Sequence, residues 1–368
     1  MTSLTHVFGA LLFVVLLTTV PLSASAQQGD RPPAVPVEPI GTIIEAFKTH
    51  NIVALSDADG NEQNHAFRLL LIRDPRFAAT VNDVVIELGN ARYQDLMDRY
   101  TRGEDVPYAS LRRVWQDTTV PTAGNNYLMM QQLVEVVRAL NASRPRERQL
   151  RILLGDPPID WDQVHTGGEH RKWIEMRDTF PAALIQVEVL AKQRRALVLY
   201  GSMHFQRRNL FSNYDMENWQ AQSIVSLLER SMPIKIFTIW QQSLEKLPVN
   251  VTSWPVPSLA IVRGTTLGAS DFTLYYPPPA SRFTVSDGKI VQIPREDWRS
   301  LRAEDQLDAV LYLGPSSAMT NRGSHEIPVA LCSEPGFLDM QLKRIALSGV
   351  PQFEADRLRE YCASVTAK

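Results

Sequence analysis

The sequence predicts an α/β fold, a mainly parallel sheet flanked by helices, with a C-terminal extension of short strands and helices. Three observations predict it. Five short runs rich in apolar residues, at 52–55, 83–87, 150–154, 196–200 and 234–240, alternate with longer stretches patterned for helix. Such alternation puts helices on both faces of a parallel sheet. The runs are nearly continuous in apolar character, as strands buried on both faces are. Each of the first four ends in polar residues: Ser56-Asp57-Ala58-Asp59-Gly60, Glu87, Gly155-Asp156 and Gly201-Ser202-Met203-His204. Ligands of open α/β sheets sit outside the carboxyl ends of the strands, so these residues lie where chemistry is expected.

Residues 1–26 read as a signal peptide, with an apolar stretch at 8–20 and the small-x-small site Ala24-Ser25-Ala26 before Gln27. The n-region carries no Lys or Arg, only His6. The apolar stretch is short for a membrane span and no later segment approaches it. An exported protein follows, periplasmic or secreted, with no integral membrane span after signal cleavage. Residues 27–40 are rich in proline and read as an extended, mobile linker. The α/β domain then occupies 41–247 and the extension 248–368. Charged residues make up 21% of the chain and the net charge is −2, which offers no electrostatic footprint for nucleic acid. The expected partner is a small-molecule substrate or ligand.

Within the domain, helix is expected at 43–48 and 61–73, the latter ending near Asp74-Pro75 because proline disfavours helix in the residue before it. Further helices are expected at 91–100, 110–116 and 127–140, the last with Leu133, Val136, Val137 and Leu140 on one face. Residues 171–192 are patterned for helix, with a break marked by Pro181, and 221–230 form another. After 247 proline becomes frequent, and short strands are expected at 259–262, 272–275, 282–285 and 290–293. Ser286-Asp287-Gly288-Lys289 is a hairpin signal between the last two. Helices at 337–346 and 354–361 follow. Cys332 and Cys362 are the only two cysteines. In an oxidising compartment they suggest a disulfide, contributing ~3–4 kcal/mol by closing the loop between them. A two-thiol zinc site would need closely spaced cysteine pairs, which are missing.

The convergence of strand ends carries the candidate chemistry. Asp57 and Asp59 follow the first strand, Glu87 ends the second, Asp156 follows the third and His204 the fourth. A histidine among carboxylates there could act as a general base or bind metal through its neutral imidazole. Strand-end Asp residues also cap helices routinely, and both readings stay open for Asp57 and Asp59. Glu87 and His204 are not preferred caps, which favours function. A calcium loop started at Asp57 fails, since its sixth position is Glu62 rather than Gly and its twelfth is Arg68 rather than Glu. A looser divalent-metal site from Asp57, Asp59 and Glu87 remains open by ligand type. His165 and His170 are expected in a loop, with Gly167-Gly168 between them. Asn141-Ala142-Ser143 and Asn250-Val251-Thr252 match the glycosylation pattern, and no GxSxG, P-loop or HExxH occurs.

Taken together, Glu87 in Val84-Val85-Ile86-Glu87-Leu88-Gly89-Asn90, the turn Gly201-Ser202-Met203-His204, and Arg177-Asp178 upstream of it resemble the erythromycin-esterase-like, ChaN-like and TraB/Tiki superfamily. His65 resembles a second histidine of the ChaN-like members. The resemblance covers roughly 43–240 and leaves out the tail. It implies an exported hydrolase of an ester or amide bond, with Glu87 and His204 orienting or activating water and Asp57 and Asp59 as acid/base or metal-binding groups. Where the superfamily carries Gly-Glu-x-His, this chain has Ser56-Asp57-Ala58-Asp59. Asp59 thus stands in the place of the histidine taken to activate water, and an unperturbed Asp is ~2.6 pK units less basic than His, about 3.5 kcal/mol. Burial beside other carboxylates would close part of that gap. The resemblance also implies an alternative, a non-catalytic haem- or metal-binding protein of the cell envelope, with His65 or His204 as axial haem ligand. A third reading is an envelope scaffold whose extension contacts a partner.

Overall fold

The computed structural model describes residues 31–57, 60–121, 127–208, 223–275, 282–286, 289–293, 301–320 and 327–366. The signal-peptide reading and Asp59 lie outside them. Residues Arg31–Lys368 form one compact unit.

Its centre is a seven-stranded sheet. The strands are β1 (Ile52–Ser56), β2 (Asp83–Asn90), β3 (Arg151–Asp156), β4 (Ala196–Tyr200), β5 (Phe237–Gln241), β6 (Ser258–Ile261) and, after a separate antiparallel hairpin of β7 (Arg282–Ser286) and β8 (Lys289–Ile293), β9 (Ala309–Tyr312). Their order is β3-β2-β4-β1-β5-β9-β6. All neighbours run parallel except β6, which is antiparallel to β9. The fold is α/β, as the alternation of runs predicts. All five residues of β1 and of β4 are buried, as strands covered on both faces must be.

One face carries Val53, Leu55, Val84, Ile86, Ile152, Leu154, Leu197 and Leu199, packed under Phe67, Leu71, Leu133, Val137 and the C-terminal Phe337, Ile345 and Leu358. The other carries Ala54, Val85, Leu153, Val198 and Tyr200, packed under Ala182, Ile185, Ile224 and Leu228. Each fully buried aliphatic side chain contributes about 1.5–3 kcal/mol relative to exposure. A third cluster beyond β5 joins Trp240, Phe272, Tyr275 and Val310.

The helix Glu62–Arg73 starts at Asn61, whose side chain accepts from Asn64 N at 2.8 Å, and stops at Asp74, which caps the next helix, Pro75–Thr80. Several expectations are corrected. The helical stretch at 171–192 breaks ahead of Pro181, at Met176-Arg177-Asp178, between helices Gly167–Glu175 and Thr179–Ile185. Pro181 falls in the first turn of the second helix, where a missing N–H costs nothing. His170 lies in a helix, whose start at Thr166 is a capping box with Glu169. The strand expected at 272–275 is a 3-10 turn, Phe272–Tyr275. Asp271 Oδ1 accepts from Thr273 N at 2.8 Å, and the two rings, spaced for a turn rather than a strand, stack at 5.5 Å.

Residues 31–37 of the proline-rich stretch are extended but held: Val37 pairs with Leu259 of β6, and Arg31 meets Glu304 at 2.8 Å. Asn141 is buried and bonded to Thr101 and Leu150, so that glycosylation pattern is committed to the core. The disulfide Cys332–Cys362 is formed. Among the described residues no helix is long and apolar enough to cross a membrane.

Candidate functional site

Because β1 to β4 run parallel, their carboxyl ends share one edge of the sheet. Glu87 sits where the register of β2 against β3 shifts, between Ile86 and Asn90, an irregularity of the kind that re-aims a side chain. Its Oε2 accepts from the Gly201 N–H at 2.6 Å, and its Oε1 accepts from Arg177 Nη2. Gly201 leads into a single 3-10 turn, Ser202–Phe205, that carries His204 back over β2. There His204 Nε2 lies 3.4 Å from Glu87 Oε1, and Nδ1 lies 2.8 Å from Asp178 Oδ1. The break in the helical stretch brings Arg177 and Asp178 to this point. Asp178 also accepts from Ile224 N at 3.1 Å, at the start of helix Ile224–Ser231. His204 keeps 14% of its side chain exposed and Asp178 29%, so the cluster is reachable from solvent.

Behind it, Asp156 at the end of β3 is fully enclosed. Its Oδ2 accepts from Thr119 N at 2.7 Å, its Oδ1 from Thr119 Oγ1 at 2.6 Å, and Arg177 Nε stands 3.8 Å away. His170 and Trp161 hold that loop by bonding the Thr119 and Thr118 carbonyls.

The electrostatics follow from these contacts. Burial works to raise the Glu87 carboxyl, but His204, Arg177 and the Gly201 N–H outweigh it and hold the group down at about 2. Burial works to lower His204, but Glu87 and Asp178 outweigh it and hold the imidazole up at about 9. For Asp156 burial wins and pushes the carboxyl up to about 7 against Arg177 and Thr119.

A pH dependence follows. The stability that His204 gains is complete below its ordinary 6.5 and is lost as pH rises through about 9. The share seen at Glu87 is complete above 4.5 and is lost as pH falls through about 2; the two shifts describe one ion pair and do not add. Asp156, raised from 3.8, contributes fully only below that value and loses its contribution as pH rises through about 7. Urea midpoints should therefore fall from about pH 6 to about pH 9. A flat or rising profile over that range would contradict the assignment.

Asp57 belongs to a second network. β4 lies between β1 and β2, so Asp57 and Glu87 end strands roughly 9–10 Å apart. Asp57 pairs with Arg68, whose Nε donates to His65 Nδ1 at 3.0 Å. His65 Nε2 then donates to Gln132 Oε1 at 2.7 Å. Burial, then Arg68, pushes His65 down to about 4, which keeps it neutral. A groove of about 600 Å³ between helices Glu62–Arg73 and Tyr127–Asn141 reaches this network at Gln132.

The structure thus brings Glu87 and His204 together, with Arg177 and Asp178 beside them and Asp156 behind, all residues the sequence also points to. It does not bring Asp57 to them, since Asp57 is turned to Arg68. The divalent-metal set Asp57, Asp59 and Glu87 does not converge in its described members, and no cluster of three or more His, Cys, Asp or Glu arranged for a metal occurs among the described residues. His65 and His204 each have both ring nitrogens engaged, which does not fit an axial haem ligand. Thr119 carried no signal in the sequence. Tyr200 had one, as the last residue of a strand that leads into the histidine turn.

No protein-family model matches the chain, and no curated protein sequence matches it. Solved structures resemble it at a distance. A succinoglycan biosynthesis protein is 11% identical, over 77% of this chain and 94% of its own, with a TM-score of 0.49. A Bacillus cereus protein is 9% identical, over 77% of this chain and 95% of its own, with a TM-score of 0.44. ChaN of Campylobacter jejuni, which binds haem cofacially, is 12% identical over 56% of this chain and 86% of its own, with a TM-score of 0.35. In each case the likeness is a distant one of chain fold.

Proposed function

We propose that this chain is an exported hydrolase that cleaves an ester or amide bond of a small molecule at the edge formed by β2 and β4, with Glu87 and His204 as the reacting pair. The observation that supports it most is a partly exposed histidine held between two carboxylates, Asp178 at 2.8 Å and Glu87 at 3.4 Å. Because His204 keeps its proton to about pH 9, its task at neutral pH is that of a donor. Water adds to the carbonyl carbon, the C–O or C–N bond breaks, and the leaving atom takes a proton from His204 Nε2, whose contact with Glu87 is the looser of its two. Glu87 steadies the imidazolium and sets its angle. The proton of the attacking water passes to solvent, from which His204 regains its own.

A mixed panel of esters and amides, assayed with the mature protein and with His204→Ala, tests this. The variant should lose about 10²–10⁴-fold in rate, and wild-type activity should fall on the alkaline side through about pH 9. Undiminished hydrolysis by His204→Ala would remove the role of His204, and an inactive wild type would remove the enzyme reading. The other reading, a haem or metal binder, would need His65 or His204 to release a present partner. A Soret band on haem titration, lost in His65→Ala or His204→Ala, would establish it instead.

A further inference from the structure

Tyr200 closes β4 and touches each part of the strand-end edge. Its carbonyl accepts from Asp57 N at 2.7 Å, at the start of the turn after β1. Its ring meets His204 edge-on, with centroids 5.4 Å apart and planes at 72°. The side chain then crosses over β2 and its hydroxyl comes to rest against Gly155 of β3. A Cβ at Gly155 would lie 1.8 Å from that hydroxyl oxygen, and 2.9 Å from both Tyr200 Cζ and the Ile86 carbonyl oxygen. Glycine alone leaves the notch open. The hydroxyl is buried and has no hydrogen-bond partner among the described residues. Glu87, Asp156, Arg177 and Asp178 are all near enough to act on it electrostatically.

A buried hydroxyl without a partner costs about 1–3 kcal/mol, so its bonds do not explain why the ring sits where it does. The ring itself does, because it fills the space between His204 on one side and the β3 backbone on the other. We propose that Tyr200, seated in the notch at Gly155, is a positioning residue of this site whose ring keeps His204 and Arg177 against Glu87. The inference rests on the reading of Glu87 and His204 as the functional pair, but its test reads geometry rather than turnover. Among the described residues, the charged groups that face His204 are Glu87 from β2 and Asp178 from the break before helix Thr179–Ile185. Arg177 lies beside Glu87, and Asp156 of β3 lies beyond Arg177.

The experiment is an NMR titration of ¹⁵N-histidine in the whole mature chain, comparing wild type with Gly155→Ala, Tyr200→Leu, Tyr200→Phe and the double variant Gly155→Ala/Tyr200→Phe. Gly155→Ala should push the ring out and lower the His204 midpoint by roughly one unit or more, a tenfold loss of proton affinity. Tyr200→Leu should do the same by removing the ring, and covers the case in which Gly155→Ala does not fold. Tyr200→Phe should leave the midpoint in place, with thermal stability equal or higher. The double variant should recover part of the Gly155→Ala loss, because it removes the 1.8 Å approach to the hydroxyl oxygen and leaves the two at 2.9 Å. A His204 midpoint unmoved by both Gly155→Ala and Tyr200→Leu would overturn the inference. If the midpoint moves as expected in a protein that hydrolyses nothing, the positioning role stands and the hydrolase reading falls. If hydrolysis is found and the midpoint does not move, the reverse holds.

Discussion

Glu87→Gln is expected to cost about 3–5 kcal/mol of stability, the range for removing one partner of a buried ion pair. The amide keeps the volume of the carboxylate and can still accept at one oxygen, so the loss is one of charge. Two cations face that charge, the Arg177 guanidinium and the His204 imidazolium. Without it, burial would act on His204 with Asp178 left among the described residues to oppose it, and the midpoint of about 9 should drop toward the ordinary 6.5. Arg177 cannot give up its proton and would be left largely enclosed beside Asp156, at 3.8 Å, as its nearest remaining carboxylate. Urea unfolding at neutral pH measures the first effect and a histidine titration the second. In a double-mutant cycle with His204→Gln, the pair should cost less than the sum of the singles, since the second change removes a cation that the first left unpaired. A Glu87→Gln protein within 0.5 kcal/mol of wild type, or one whose His204 still titrates near 9, would mean that the carboxylate is not the anchor of this site.

The meeting of Glu87 and His204 was legible in the sequence because its signal is local. Glu87 ends an apolar run and His204 follows one, and parallel strands put such ends on a common edge whatever their order. The order itself was not legible. Nothing in the runs says that β4 lies between β1 and β2, yet this insertion places Asp57 with Arg68 and His65 rather than with Glu87. The break lies at Met176-Arg177-Asp178, one turn ahead of Pro181, because proline marks a helix interruption in the sequence but is tolerated in a first turn. β9 has a sequence signal in the apolar run 309–313 between Asp308 and Gly314, but the prolines and short segments around it give the region the look of an irregular tail. It pairs parallel to β5 and carries the sheet two strands further. Tyr200 and Gly155 show the limit most plainly. Their contact joins two positions 45 residues apart through the space that one methyl group at Gly155 would take, and only the register of three strands reveals it.

The C-terminal region bears on the same edge, and replacing both Cys332 and Cys362 by Ser should show how. The bridge closes a loop with a sequence separation of 30, for which removal is expected to cost about 2–5 kcal/mol. It links helix Val329–Cys332 to helix Gln352–Thr366, with helix Phe337–Ser348 between them in the chain. The stretch between the two cysteines grips the segment that serves the site: Glu334 accepts from Arg112 at 2.6 Å, and Arg344 donates to Asp117 at 2.9 Å. Two residues on, Thr119 holds both oxygens of Asp156. Without the bridge the last helix is the element with most freedom to open, since Ala355, Leu358 and Cys362 supply its buried face and most of the rest is solvated. Hydrogen exchange should therefore rise first in helix Gln352–Thr366, then around 112–119, while β1 to β5 keep their protection until global unfolding. An unchanged urea midpoint would show that the surrounding contacts hold these helices unaided. Exchange that rises in the sheet as early as in the last helix would show that the disulfide supports the whole domain rather than the loop beneath Asp156.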